Sequence, residues 1–266
     1  MELWLPVLFQ IQSENAMVAL MDSLSFITDI CGALKSIKRT GWVMRGIPFP
    51  ESDADHMHRC AMCALLVGQP PDPRDVYDTD AATRAFHPSA VDTTRILRMA
   101  LTHDLCEALA GDITPFCDPQ LVASKHDKED AAMQAIQKVV GDPLGEELYN
   151  LWKEYEEQQT PESIYCKDID KFEMVVQAFE YEKLHLKDRS EVEGNPSPDQ
   201  DSTNKALDSD ASVPTVFHEP LRTFFITTNA TMKTPLFRRL DRELRTRRES
   251  MLSEKGWAVT EAEQQK

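Results

Sequence analysis

"DTTRILRMALTHDLCEALAGD", residues 92–112, carries both the architecture and the chemistry of this chain. It opens as an apolar helix, with Asp92 or Thr93 as N-cap and Gly111 as a C-terminal stop, and so predicts one helix over 92–111. Within that helix stand His103, Asp104 and Glu107, and Asp112 follows the stop. Ionisable groups in a half-buried helix are costly unless they are paired, neutralised or bound to metal.

Helical spacing of apolar residues recurs along the chain. "SLSFITDICGALKSI" (23–37) places Leu24, Ile27, Ile30, Cys31 and Leu34 on one stripe. Further helices are expected over 56–68, 125–141, 146–158 and 161–186, the last with Pro161 in its first turn. No run of alternating residues argues for strands, and the expected class is all-α. Near the C-terminus, "PLFRRLDRELRTRRESML" (235–252) is an Arg-rich amphipathic helix with Leu236, Phe237, Leu240 and Leu244 on one side, expected to dock on the body or on a partner subunit.

The 266 residues suffice for a packed core, and 41% of them are hydrophobic. A net charge of −16 argues against nonspecific binding to nucleic acid or to an anionic membrane, because phosphate contacts need clustered Lys and Arg. A small phosphate ligand needs only one or two arginines. Cys31, Cys60, Cys63, Cys106, Cys117 and Cys166 are scattered and read as reduced thiols, including the Cys60-x-x-Cys63 pair on its apolar helix. The opening "MELWLPVLFQ" lacks a basic start, and no stretch approaches the roughly 20 apolar residues of a membrane span. A soluble protein is expected, in the cytoplasm and with the nucleus as a second compartment.

His103 and Asp104 can share one metal if the helix bends there, since adjacent helical side chains otherwise diverge by about 100°. Glu107 overlies the same patch. "ESDADHMHR" (51–59) offers His56 or His58, of which one can join the site, and "CKDID" (166–170) offers Asp168 or Asp170. Helical phase puts Asp168 with Ile164, Phe172, Val175 and Phe179, and Asp170 with Cys166, Met174 and Gln177; it does not choose between them. His58, His126, His185 and His218 read as surface or structural.

The ordered set "KRTGWVMRGIPFPES", "ESDADH", "LTHDLCEALAGDITP" and "LYNLWKEYEEQQTPESIYCKDIDKF", within residues 20–185, resembles the HD-domain phosphohydrolases and, more narrowly, their 5'-deoxynucleotidases of the HD-domain-containing protein 2 type. The resemblance implies a helical HD-domain bundle over 20–186, after an N-terminal extension (1–19); residues 187–214, with few apolar residues and no aromatics, read from composition as a disordered acidic linker, followed by a C-terminal helical segment (215–266). It implies His56, His103, Asp104 and Asp170 as ligands of one divalent ion, with Glu107, Asp112 and the Ile113 main chain at a second metal or at substrate. Mixed imidazole and carboxylate donors suit Co, Mn or another transition ion better than Mg or Ca. By the same resemblance Glu107 orients or deprotonates water, Arg39 clamps a 5'-phosphate with Arg45 as second candidate, Asp112 contacts the sugar, and Trp42 shapes the sugar pocket. The implied reaction converts nucleoside 5'-monophosphates, deoxy forms first, to nucleoside and phosphate, in a homodimer. A phosphohydrolase of cyclic or polyphosphorylated nucleotides and a non-catalytic nucleotide sensor are the alternatives. Base contacts are expected from the loops 69–91 and 114–124.

Overall fold

A computed structural model describes residues 23–77, 79–194 and 217–264. The expected N-terminal extension and most of the expected linker lie outside these residues. A π-turn over Phe26–Ile30 runs into α1 (Cys31–Ser36), followed by α2 (Thr40–Val43), α3 (Asp53–Val67), α4 (Ala81–Arg84) and α5 (Thr93–Ala100). Next come α6 (Glu107–Ala110), α7 (Pro119–Ala123), α8 (Lys125–Val140), α9 (Leu144–Glu157) and α10 (Pro161–His185). The rest is α11 (Arg189–Gly194), α12 (Arg222–Thr227), α13 (Pro235–Glu254) and α14 (Glu261–Gln264). The fold is all-α: among the described residues the only β features are isolated bridges, Lys38 with Ser52 and Leu186 with Phe217. No described helix is long and apolar enough to cross a membrane.

The long helix α10 is the axis. It packs along α3, α5, α9 and α13 and buries Tyr165, Cys166, Ile169, Val175 and Ala178 completely. Thr160 caps it, accepting from the Ser163 amide, and Pro161 stands in the first turn where its missing N–H costs nothing. A second apolar cluster joins Ile30 and Leu34 to Leu105, Met133, Ile136 and Trp152. Cys60 and Cys63 are free and buried.

Local geometry departs from simple periodicity at three places. The expected helix over 92–111 is broken: α5 ends at Ala100, residues 101–106 form turns, and α6 resumes at Glu107. The break is carried by bonds spanning three residues, from the amides of Thr102 to Met99, Leu105 to Thr102 and Glu107 to Asp104. Such tightening brings side chains three apart into register, here Asp104 and Glu107. Gly111, at φ +77°, then ends α6 as the sequence indicated. In the first helix the π-turn shifts the phase, so Ile30 and Leu34 are buried while Leu24 and Ile27 stay 59% and 60% exposed. Finally, the expected disorder from 187 does not hold at its start. α11 is tied down by the Arg189 amide donating to Lys255 O (2.9 Å) and the Lys187 amide donating to Phe217 O (3.1 Å).

The C-terminal segment docks on the body. Phe225, Phe237 and Leu252 are fully buried and join the same core as α3, α5 and α10. Charged links fix it, two of them well buried. Arg239 pairs with Asp75 of the 69–91 loop at 2.6 Å, and Arg248 donates to both carboxylate oxygens of Glu182 on α10 at 2.6 and 2.9 Å.

Candidate metal and phosphate site

The site forms where the start of α3, the 101–106 turns and the middle of α10 meet. Ser52 and Asp55 make a reciprocal capping box that starts α3 at Asp53 and turns His56, one turn on, into the interior. His58 is exposed on the opposite side, so of the two it is His56 that faces His103. Amide bonds from Arg39 to Glu51 O and from Asp53 to Ile37 O hold the extended segment 37–39 beside the same helix start.

Four donor atoms converge there. His56 Nε2 lies 3.3 Å from His103 Nε2, 3.5 Å from Asp170 Oδ1 and 3.6 Å from Asp104 Oδ2, and His103 Nε2 lies 3.4 Å from Asp104 Oδ2. Ligands about 2.0–2.2 Å from one ion are separated by roughly 3.0–3.5 Å, so this set fits a single transition ion. The other ring nitrogens face outward: His56 Nδ1–H donates to Glu173 and His103 Nδ1–H donates to Ala100 O at 3.0 Å. With Nδ1 so engaged, each Nε2 is the ring nitrogen that faces the common centre, the arrangement that orients metal-bound histidines. Cys60 Sγ also lies 3.6 Å from His56 Nε2, but burial pushes its thiol up to about 12, so it stays protonated. Asp170 accepts from Tyr155 Oη at 2.7 Å and from Lys167 Nζ at 3.1 Å. Burial opposes its ionisation, yet Lys167 and His56 hold it well below the usual carboxylate range.

Asp168, the alternative in "CKDID", is more deeply buried than the half-buried Asp170 but serves elsewhere. Its Oδ2 accepts from the Lys233 amide (2.8 Å), the Thr234 amide (2.7 Å) and Thr234 Oγ1 (2.8 Å), at the start of α13.

Beside the four donors sits Arg39. Its Nη1 lies 2.9 Å from Asp104 Oδ2, 3.4 Å from Glu107 Oε2 and 3.9 Å from Asp53 Oδ1. Burial works against its charge, but Asp104 and Glu107 raise its pKa well above normal, so it remains a guanidinium. Glu107 is buried, and burial together with Asp104 pushes its carboxyl well above the usual range. Asp112 accepts from the Thr40 amide through Oδ2 at 2.6 Å and from Thr40 Oγ1 through its carbonyl at 2.8 Å, which holds the loop bearing Arg39. Ile113 is buried behind it.

A cavity of about 120 Å³ opens on the far side of Arg39, and its lining includes Asp112, Trp42, Arg45, Phe116 and Phe224. Trp42 is buried and donates Nε1–H to Glu51 at 2.7 Å. Arg45 does not join the carboxylate cluster: it donates to Gly41 O at 3.3 Å and lies against the rings of Phe116 and Phe224. Of the two loops expected to reach a base, Thr114–Phe116 borders the cavity. The 69–91 loop does not; it packs against α13.

Sequence reading missed three contributors. Glu173, fully buried against His56, lies one turn after Asp170, and that spacing was its only signal. Asp53 is fully buried with neither carboxylate oxygen hydrogen-bonded. Phe224 enters from the C-terminal segment and had no local signal at all.

Comparison with known proteins follows the same positions. A family model described as HD domain matches residues 31–206, a span that includes all four donors. A Dictyostelium discoideum protein named 5'-deoxynucleotidase HDDC2 is 42% identical over 154 residues, covering 58% of this chain and 75% of the relative. Its Danio rerio namesake is 40% identical over 167 residues, 63% of this chain and 74% of the relative. A Schizosaccharomyces pombe protein named 5'-deoxynucleotidase hdd1 is 38% identical over 169 residues, 60% of this chain and 74% of the relative. Taken with the convergence of the histidines and aspartates, these likenesses establish that the chain belongs to the HD-domain 5'-deoxynucleotidase family.

Proposed function

We propose that the chain hydrolyses nucleoside 5'-monophosphates, deoxyribonucleotides first, using one divalent transition ion held by His56, His103, Asp104 and Asp170. The observation that carries this reading is that three donor atoms, from His103, Asp170 and Asp104, lie 3.3–3.6 Å from a fourth, His56 Nε2, with both histidine Nδ1 atoms engaged elsewhere. When bound, such an ion supplies a water of lowered pKa and positive charge for a phosphoryl oxygen. The residues around it do the rest. Glu107, buried and 3.4 Å from Arg39 beside the donor cluster, is placed to orient the attacking water and to shuttle its proton. Arg39 swings from Asp104 and Glu107 to the phosphate, where its planar fork offers paired donors. Asp112 keeps Thr40 on Oδ2 and turns Oδ1 to the 3'-hydroxyl of the sugar, and Trp42 closes the wall near the 2' position. Glu107, Asp112 and the Ile113 main chain are the residues a second ion would use.

The reading includes a cytoplasmic homodimer. Free cysteines support a reducing compartment, and the exposed Leu24 and Ile27 offer apolar surface to a second copy.

Phosphate release from ribo- and deoxyribonucleoside 5'-monophosphates, by chelator-stripped protein given Co, Mn, Mg or Zn in turn, tests it. Metal-dependent release greatest in the deoxy series is the expected result. No release with any metal from a folded sample would overturn the proposal.

Glu173→Gln removes the anionic partner of His56 Nδ1 while keeping the shape of the side chain. The metal concentration for half-maximal activity should rise about 10–100-fold, with little change in rate at saturation. An unaltered metal titration would show that Glu173 does not support the ligand.

A further inference from the structure

We infer that Phe224, together with Arg45 and Phe116, forms the nucleobase end of the pocket, so that the C-terminal segment governs which bases the enzyme accepts. The inference rests on the nucleotidase reading and extends it to a part of the chain beyond the residues 31–206 that the HD-domain model matches.

The order of groups across the site parallels the order of groups in a nucleotide. The donor cluster and Arg39 suit the phosphate, and Asp112 and Trp42 come next. Beyond Trp42 the wall changes character: the Phe224 ring stands 4.3 Å from that of Trp42 at 35°, and the Arg45 guanidinium lies 4.5 Å from the Phe224 centroid and 5.2 Å from the Phe116 centroid. Two aromatic faces and a planar cation are the groups that stack on nucleobases, and such stacking is tolerant of base identity.

The cavity as it stands, about 120 Å³, is small beside the roughly 300–1,000 Å³ typical of ligand sites. The side chains that fill its outer end are the loosely held ones. Phe116 is 59% exposed, and among the described residues the one hydrogen bond of Arg45 is a long 3.3 Å contact to a carbonyl. A base can take the place that the planar Arg45 head now occupies against Phe224, with Arg45 moving to its edge or opposite face.

Phe224, by contrast, is firmly placed. The Leu221 amide just before α12 donates to Glu182 Oε1 at 2.6 Å, and Glu182 is itself gripped by Arg248. Arg222 pairs with Glu263, Arg248 donates to the other oxygen of Glu263 at 2.7 Å, and Arg248 stacks 3.6 Å over Phe225. Thus Glu182, Arg248 and Glu263, all buried, hold one short helix whose buried Phe224 ring lines the cavity. A rigid aromatic floor opposite movable side chains is what a stacking site requires.

The test compares kcat/KM for 2'-deoxyadenosine and thymidine 5'-monophosphates with that for 2-deoxyribose 5-phosphate, which has no base. The proteins are the unaltered chain, Phe224→Leu and Phe224→Trp, with melting temperature recorded for each. The ratio of base-bearing to base-free substrate should fall about tenfold in Phe224→Leu, mainly through KM, and Phe224→Trp should restore it while changing the purine-to-pyrimidine balance. Equal losses on all three substrates, or no change in the ratio, would overturn the inference and leave the nucleotidase reading standing. Absence of hydrolysis of all three by the unaltered chain would overturn both.

Discussion

His103→Ala, Asp104→Ala and Asp170→Ala are each expected to cut kcat/KM for deoxynucleoside monophosphates by on the order of 10³-fold, or about 4 kcal/mol of transition-state stabilisation, while helical content by circular dichroism is kept. Each residue supplies one of four donor atoms packed within 3.3–3.6 Å of a neighbour, so loss of one opens the shell instead of trimming its rim. A second readout does not depend on turnover. An ion that binds only the folded chain stabilises it by about 2.7 kcal/mol at a hundredfold excess over its Kd. The unaltered protein should therefore melt higher with added metal, and these three variants should show little or none of that increase. Normal activity together with a full metal-induced shift in any of them would remove that residue from the ligand set.

Asp168→Ala, two positions from Asp170, should fail in the opposite manner. The carboxylate is 1% exposed and accepts from two backbone amides and a hydroxyl where α13 begins. Negative charge at a helix start is favourable, and buried amides that lose their acceptor are costly. The expected loss is roughly 3 kcal/mol of stability, on the order of 10 °C in Tm. Asp168→Asn retains a carbonyl acceptor and should lose much less. Activity per folded molecule, measured well below the lowered Tm with metal and substrate saturating, should stay far closer to normal than in Asp170→Ala. A stable but inactive Asp168→Ala would show instead that this aspartate, and not its neighbour, serves the chemistry.

The two aspartates also mark what could be read locally. The helices at 53–67, 125–140, 144–157, 161–185 and 235–254 follow from apolar residues three and four apart, and Pro161 and Gly141 punctuate them where expected, as Gly111 does α6, because a helix is stabilised by contacts within one or two turns of chain. The histidines and acids of the site were visible as residue types that do not belong in an apolar helix. Resemblance to the HD-domain family ordered them; periodicity alone did not. It reports which face of a helix is covered and not what covers it. Asp168 and Asp170 both point inward from α10, and their separate roles depend on Thr234, 66 residues away, and on His56 across the fold. The same holds for the break at 101–106, which turns His103 and Asp104 to one centre, for Glu173 behind His56, and for Phe224 beside Trp42. Each is decided by which element packs opposite, so only the tertiary structure could supply it.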